Sequence, residues 1–405
     1  MAGKKKFHRG RRNRKGIAGW SLGRKVAAVI LGALICILVG AAGVGAMYVK
    51  SMYGNMQGEK LDVSALEVSE EVEHKTGYLN VAFFGVDTRK TNLGKGTRSD
   101  SIMVVSLDQA TGKVKICSVY RDTLLCQEDG TYNKANAAYS FGGVEGAVSL
   151  LNRNLDLDIT HYVTVNFNAL VDVIDAVGGV EIDVEEDEVE YINFYLAETA
   201  KAAKEDHYEQ VTEPGLQTLS GVQATSYCRI RYTVGDDYKR ALRQRTVLGA
   251  IVEKLQNANL ATITKIANEV YDEVATNFTM AEILQYAKDY KDYDLSETTG
   301  FPFGKTSYTL DGVGSSVIPA TLESNVIKLH EFLYGEEENY TPSQKVKSIS
   351  QAIQAQTGAG EMDESHPELA GKDPEELRKL NEQKKNDHQE EEIEVIVNDI
   401  NKSEQ

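Results

Sequence analysis

In this 405-residue chain the residues whose types and spacing suit chemistry are arginines and aspartates at the ends of predicted strands and helices. Asp87 directly follows the strand-like run Tyr78 to Val86 (YLNVAFFGV), Arg98-Ser99-Asp100 precedes a second run, Ser101 to Leu107, and Arg121-Asp122 ends a third, Lys113 to Tyr120. Arg229-Ile230-Arg231 follows a short helix predicted from a capping box at Ser220 to Gln223, and Arg240, Arg243, Gln244 and Arg245 open a long helical stripe. Taken singly, each arginine–aspartate pair also suits a surface salt bridge of little consequence. Two geometric points favour a site. Arg240, Gln244, Leu248, Ile251 and Leu255 fall on one helix face. The apolar part of that face must meet the core, so Arg240 and Gln244 continue a buried stripe at a helix N-terminus, where free N–H groups attract anions and charge needs a partner. If Arg229 to Arg231 is extended, its two guanidinium groups share a face. Guanidinium forks match phosphate oxygens bidentately. Several arginines, two strand-end carboxylates (Asp87 and Asp100) and no thiolate or histidine ligand set describe a phosphate site with a hard divalent metal, Mg2+ or Mn2+.

Signatures of other chemistries are missing. The sequence holds no H-E-x-x-H and no phosphate loop with the spacing G-x-x-x-x-G-K-S/T. Phe141 to Gly146 (FGGVEG) lacks the phosphate lysine and reads as a helix-start turn. The seven histidines show no ligand spacing, and His161, opening a strand, reads as structural. Cys117, Cys126 and Cys228 match no zinc spacing, and a Cys117–Cys126 disulfide is left open.

The elements that must position these groups alternate in period. A hairpin is expected across Asp108 to Gly112, and strands at His161 to Phe167 and Val180 to Val184. Helices are expected at Val144 to Leu151, at Leu170 to Val177 (ended by Gly178-Gly179), at Leu242 to Leu255, near Ile263 to Val274, Met280 to Tyr290 and Asn325 to Leu333. That interleaving predicts an α/β domain with a mixed sheet and helices on its faces.

Charge is segregated rather than uniform, although the net value is −17. Ten lysines and arginines precede residue 26, and the first acid is Glu59. Between them Val26 to Val49 carries no charge, long enough to cross a bilayer core of roughly 30 Å, and the basic side is expected in the cytoplasm. The expected organisation is a basic cytoplasmic segment (1–25), one transmembrane helix (26–49), a juxtamembrane spacer (50–76), an extracytoplasmic domain (77–335) and an acidic, disordered tail (336–405). An outward-facing acidic body argues against nucleic acid, and the basic head reads as a topology signal touching anionic lipid.

Phe84 to Arg89 (FGVDTR), Arg98 to Met103 (RSDSIM), Ser118 to Thr123 (SVYRDT), Lys134 to Ala138 (KANAA), Leu219 to Ala224 (LSGVQA) and Arg229 through Arg245 (RIR, then RALRQR) resemble, in order and spacing, the LytR-CpsA-Psr family. The resemblance covers about Tyr78 to Val252, with a motif core at 97–252. Tyr120 departs from it, since many members carry proline before the Arg-Asp pair. The resemblance implies a three-layer α/β/α fold with a central mixed sheet, and a polyprenyl-diphosphate site whose lipid tail lies in an apolar pocket. It implies transfer of teichoic acid, capsular polysaccharide or a similar glycopolymer onto peptidoglycan at the membrane. Asp87 and Asp100 would hold Mg2+ against the diphosphate. Arg98, Arg121, Arg229, Arg231 and Arg240 would bind its oxygens, Gln244 would orient them, and Asp100 with Arg121 would form the catalytic pair. Two alternatives stay open: hydrolysis of the same carrier, and a non-enzymatic role in envelope regulation.

Overall fold

Alternation along three strands sets the architecture. In β1 (Tyr78–Val86), Leu79, Val81 and Phe83 face one hydrophobic cluster, while Ala82, Phe84 and Val86 face another. β2 (Ser99–Asp108) divides the same way, Met103, Val105 and Leu107 against Ile102 and Val104, and β3 (Lys113–Val119) sends Val114 and Ile116 one way, Cys117 and Val119 the other. A sheet apolar on both faces must be covered on both. The remaining strands are β4 (Leu124–Cys126), β5 (Tyr132–Lys134), β6 (His161–Asn166), β7 (Val180–Val184), β8 (Gly215–Leu219), β9 (Val274–Thr276), β10 (Asp294–Phe301), β11 (Lys305–Leu310) and β12 (Gly314–Pro319). Six of them form a mixed sheet in the order β10-β3-β2-β1-β6-β9, and β4–β5, β7–β8 and β11–β12 are separate antiparallel pairs.

This computed structural model describes residues 58, 60–68, 76–86, 93–231, 236–258, 262, 266, 270, 273–287, 293–335 and 340–359. The basic segment, the predicted membrane span, Asp87 and the chain after residue 359 lie outside the described residues. No helix among those described is long and apolar enough to cross a membrane.

Among the described residues eight α-helices cover the sheet: α1 (Ala135–Leu155, kinked at Gly143), α2 (Phe167–Ala176), α3 (Glu186–Ala203), α4 (Gly221–Tyr227), α5 (Asp236–Gln256), α6 (Met280–Ala287), α7 (Leu322–Tyr334) and α8 (Gln344–Thr357). On one face α2, α3 and α5 contribute Val171, Ile174, Ile192, Leu196, Val247 and Ile251. On the other, α1, α7 and α8 contribute Val148, Leu151, Val326, Leu329, Val346 and Ile349. Local signals act where expected. The capping box forms, with Ser220 N donating to Gln223 Oε1 at 2.9 Å, and Gly178 and Gly179 end α2 with φ of 79° and 83°. Cys117, Cys126 and Cys228 are buried free thiols.

Three expectations are corrected. Arg229 to Arg231 is not a strand: Cys228 and Arg229 form a turn after α4, with Arg229 N donating to the Ser226 carbonyl at 3.0 Å and Ile230 N to the Tyr227 carbonyl at 3.3 Å. The spacer is docked over 60–68: Leu66 is fully buried, Asn152 Nδ2 donates to its carbonyl at 3.0 Å, and Arg153 pairs with Glu67. The tail does not begin at residue 336. Val346, Ile349 and Ile353, at helical spacing, bury α8 against α1 and α7. Asp156, itself buried, fixes the start of α8 by accepting from Ser343 N (2.7 Å), Ser343 Oγ (2.7 Å) and the Tyr340 hydroxyl (2.5 Å).

Ile349→Ala should therefore lower stability by about 3 kcal/mol, within the usual range for emptying a buried aliphatic site. Truncation after Gly335 should lower the melting temperature sharply. Denaturant titration and thermal melts of the two variants check both, and an unchanged melt on truncation would return α8 to the tail.

Candidate functional site

The carboxyl ends of β1, β3 and β6 and the amino end of β2 meet at one edge of the sheet. Crevices outside strand carboxyl ends are where open α/β sheets bind ligands. Here the crevice is a polar cavity of about 360 Å³ lined by Arg98, Asp100, Arg121, Arg229, Arg231, Arg240 and Gln244, together with Phe167, Tyr195 and Cys228. Seven of the eight residues singled out from the sequence thus surround one space, and Asp87 lies outside the described residues. Phe167 was legible in principle, as a strand-end position like the others. Tyr195 was not, because it rides on α3, whose acidic first turn (Glu186, Asp187, Glu188) conceals its apolar spacing.

Each cation is held from a different element. Arg121 is ion-paired to Asp100 and lies 3.4 Å from Asp122, which also meets Lys134 Nζ at 3.2 Å. Arg229 donates to Thr199 Oγ1 at 3.0 Å, contacts Glu198 at 3.0 Å, and lies over the Phe167 and Tyr195 rings at 5.4 and 5.1 Å. Aromatic faces and a single exposed carboxylate orient a guanidinium without cancelling its charge. Arg240 is buried at the start of α5.

Two ion pairs between α3 and α5 aim that helix. Lys239 Nζ donates to Glu185 Oε2 at 2.5 Å, and Arg243 Nε donates to Glu188 Oε1 at 2.7 Å, with Arg243 and Glu188 both 2% exposed. Glu185 and Glu188 are also the capping box of α3. Burial pushes the Glu188 carboxyl upward, and the Arg243 guanidinium opposes it.

Behind the polar cavity, between the sheet and helices α2 and α5, runs a narrow apolar cavity of about 90 Å³. Its walls include Phe83, Met103, Leu170, Val173, Val247, Leu248 and Ile251, and reach Val270 and Val274. Phe167, Cys228 and Gln244 line both cavities, so the two adjoin. The arrangement suits an anion with an apolar tail. Cys228 is not a nucleophile here, because burial pushes its thiol up to about 12, the nearby Arg243 opposing.

Asp100 is the only carboxylate lining the polar cavity among the described residues. No group of three or more His, Cys, Asp or Glu among them is placed to hold a metal. Val86, directly before Asp87 in sequence, pairs with Ser99, directly before Asp100. The buried hydroxyls of Ser99 and Ser101 have no hydrogen-bond partner. An oxygen-only donor set of this kind fits a hard cation rather than zinc.

Removing one member of the buried pair strands the other, so Arg243→Met should cost about 3–5 kcal/mol, and Glu188→Leu with Arg243→Met should recover much of it. Urea titration of the single and double variants measures this, and additive losses would contradict it. Alkylation of Cys228 in the folded chain should stay negligible at neutral pH, because burial both raises the thiol pKa and keeps reagent away. Mass-spectrometric labelling reads it out, and rapid labelling at pH 7 would contradict it.

The family model described as LytR_cpsA_psr matches residues 46–323. The polyisoprenyl-teichoic acid–peptidoglycan teichoic acid transferase TagV of Bacillus subtilis is 33% identical over 230 residues, 56% of this chain and 56% of that protein, so the chain spans about half the length of that relative. The transferase TagU of Enterococcus faecalis is 28% identical over 297 residues, 71% of this chain and 92% of that protein. Among solved structures, protein gbs0355 from Streptococcus agalactiae superposes with a TM-score of 0.53 at 26% identity, covering 66% of this chain and 92% of that one. The family match contains every described residue of the polar cavity, and this chain belongs to the LytR-CpsA-Psr family.

Proposed function

We propose that the chain transfers a glycopolymer, of the teichoic acid or capsular polysaccharide kind, from a polyprenyl-diphosphate carrier to peptidoglycan. One observation carries this reading: five arginines surround a cavity that adjoins an apolar channel through Phe167, Cys228 and Gln244. The channel takes the near part of the lipid, and the arginines take the diphosphate. The relatives TagV and TagU bear the transferase name.

In the step proposed, a hydroxyl of the acceptor glycan attacks the phosphorus that bears the polymer. A phosphorus–oxygen bond forms, the phosphoanhydride bond breaks, and polyprenyl phosphate leaves. Arg121 and Arg240 stabilise charge on the transferring and leaving oxygens, Arg98, Arg229 and Arg231 hold the rest of the diphosphate, and Gln244 orients it from the channel mouth. Asp100 takes the hydroxyl proton while Arg121 fixes its carboxylate. Mg2+ or Mn2+, held by Asp100 and Asp87, would add charge neutralisation. No ATP is required, because the anhydride supplies the driving force. The uncharged run Val26 to Val49 after a basic head supports a single membrane span, with the domain on the outer side beside its lipid substrate.

With purified lipid-linked polymer and peptidoglycan strands, the full chain should yield polymer joined to wall sugar, and free polymer phosphate instead would make it a hydrolase. Arg121→Ala and Arg240→Ala should each cut the rate by about 10²–10³ without unfolding the chain. Near-normal turnover in both would reduce the cluster to a salt-bridge network. A chelator should abolish activity and added Mg2+ restore it, and full activity in excess chelator would remove the metal from the reading. Ile251→Trp, filling the channel, should raise KM for long-chain carriers far more than for short-chain analogues, and equal effects on both would place the lipid elsewhere.

A further inference from the structure

A second cleft, of about 490 Å³, lies between α1 and the β4–β5 hairpin. Its polar wall comes from the hairpin turn, where Glu128 and Asp129 are exposed. Its other wall is the first half of α1, where Phe141 stands 71% exposed. The floor is made of small residues, Ala138, Gly142 and Gly146. Across it the Glu128 carboxylate faces Gly142 closely, since a Cβ there would sit 4.0 Å from Glu128 Oε2. Asp129 is committed to its own turn, accepting from Thr131 N at 2.9 Å and Thr131 Oγ1 at 2.6 Å.

This cleft is tied to the reaction centre by backbone. Asn136 N donates to the Arg121 carbonyl at 3.0 Å, and Ala135 N donates to the Thr123 carbonyl at 2.8 Å. Phe141 follows five residues further along the helix, about 8 Å at the α-helical rise. The two spaces are of opposite character. One is walled by arginines and takes an anion. The other carries carboxylates and an exposed ring, and so disfavours a polyanion such as the phosphate-bearing donor. A ring that lies open beside a carboxylate acceptor suits a sugar, which offers an apolar C–H face and hydroxyl donors at its rim.

We propose that this cleft seats the acceptor glycan through its neutral amino-sugar backbone. The strand stacks on Phe141 and donates a hydroxyl to Glu128, and its continuation presents the reacting hydroxyl beside Arg121. The assignment rests on the transfer reaction proposed above. It accounts for the FGGVEG run of the sequence. Phe141 supplies the platform and Gly142 lets the helix backbone come close to Glu128, while Gly143 (φ 68°) kinks α1 there and Gly146 packs against the Ala138 carbonyl, 3.2 Å from where a Cβ would sit.

The test uses the full chain in lipid vesicles, with lipid-linked donor and soluble uncrosslinked peptidoglycan strands of several disaccharides. Phe141→Ala and Gly142→Trp should each raise KM for the strands roughly tenfold, with donor KM and kcat unchanged. Phe141→Trp should retain the parent KM. Binding of the same strands to donor-free protein, followed by NMR or calorimetry, should weaken in parallel. This second reading does not depend on turnover, so it separates the two claims. If the parent fails to transfer, the proposed reaction fails. If Phe141→Ala and Gly142→Trp bind the strands as the parent does, the acceptor cleft is overturned whatever the reaction.

Discussion

Everything in the polar cavity depends on where α5 points, and that is decided by two carboxylates on another helix. Arg240 and Gln244 can face the cavity only if Lys239 and Arg243, on the next face round, find partners inside the protein. Glu185 and Glu188 are those partners. Glu185 caps α3 and Glu188 lies in its first turn, where their charge also complements the helix dipole and closes the cap. A buried ion pair adds little net stability over an apolar pair of the same shape, because desolvation offsets the attraction. What it adds here is register. Shifted by one residue, α5 would bury Arg240 against the apolar floor and leave Glu188 unpaired.

The same helix then changes character along its length. Past Gln244 its inward face becomes Val247, Leu248 and Ile251, which form a wall of the apolar cavity. Charge recognition and tail recognition therefore sit on one rigid rod. The apolar walls matter to the arginines too, because charges act more strongly where water is excluded. Arg229 shows how a cation is kept available in such a place. Its guanidinium rests over two aromatic rings, and its one carboxylate partner, Glu198, is half exposed and screened.

Much of this was legible from the chain. Alternation in Tyr78 to Val86 and in the two strands after it predicts a sheet covered on both faces, and arginines far apart in sequence line one cavity. The resemblance to a family, not periodicity, linked Arg98 to Arg240 across more than a hundred residues. The misses share a cause. Helices α3 and α8 each bury a thin stripe (Ile192, Leu196 and Ala200 in one, Val346, Ile349 and Ile353 in the other) inside a strongly polar sequence. Composition in both cases reads as solvent-exposed chain, and only the partner helices reveal the stripe. The extended conformation considered for Arg229 to Arg231 fails for the opposite reason. Two arginines flanking an isoleucine imitate strand alternation, but the end of the helix before them takes Arg229 N and Ile230 N into i→i+3 bonds.

Tyr120 shows how far a departure from a family pattern can be accommodated. The side chain is buried immediately before Arg121, its ring meeting Tyr238 edge-on at 4.7 Å. Lys305, with no exposed surface, places its ammonium 5.3 Å from one ring centre and 4.8 Å from the other. A buried cation is tolerable between two ring faces in a way it would not be against aliphatic carbon. The tyrosine also reaches across to β10, where a Cβ at Gly300 would come within 2.2 Å of its hydroxyl oxygen. A tyrosine at 120 therefore requires glycine at 300, and Lys305 and Tyr238 complete the set. These four residues join the end of β3, the start of α5 and the β11–β12 hairpin beside the site. What reads in the sequence as one substitution in a motif is in the fold a matched group, and it holds the elements bearing Arg121 and Arg240 against each other.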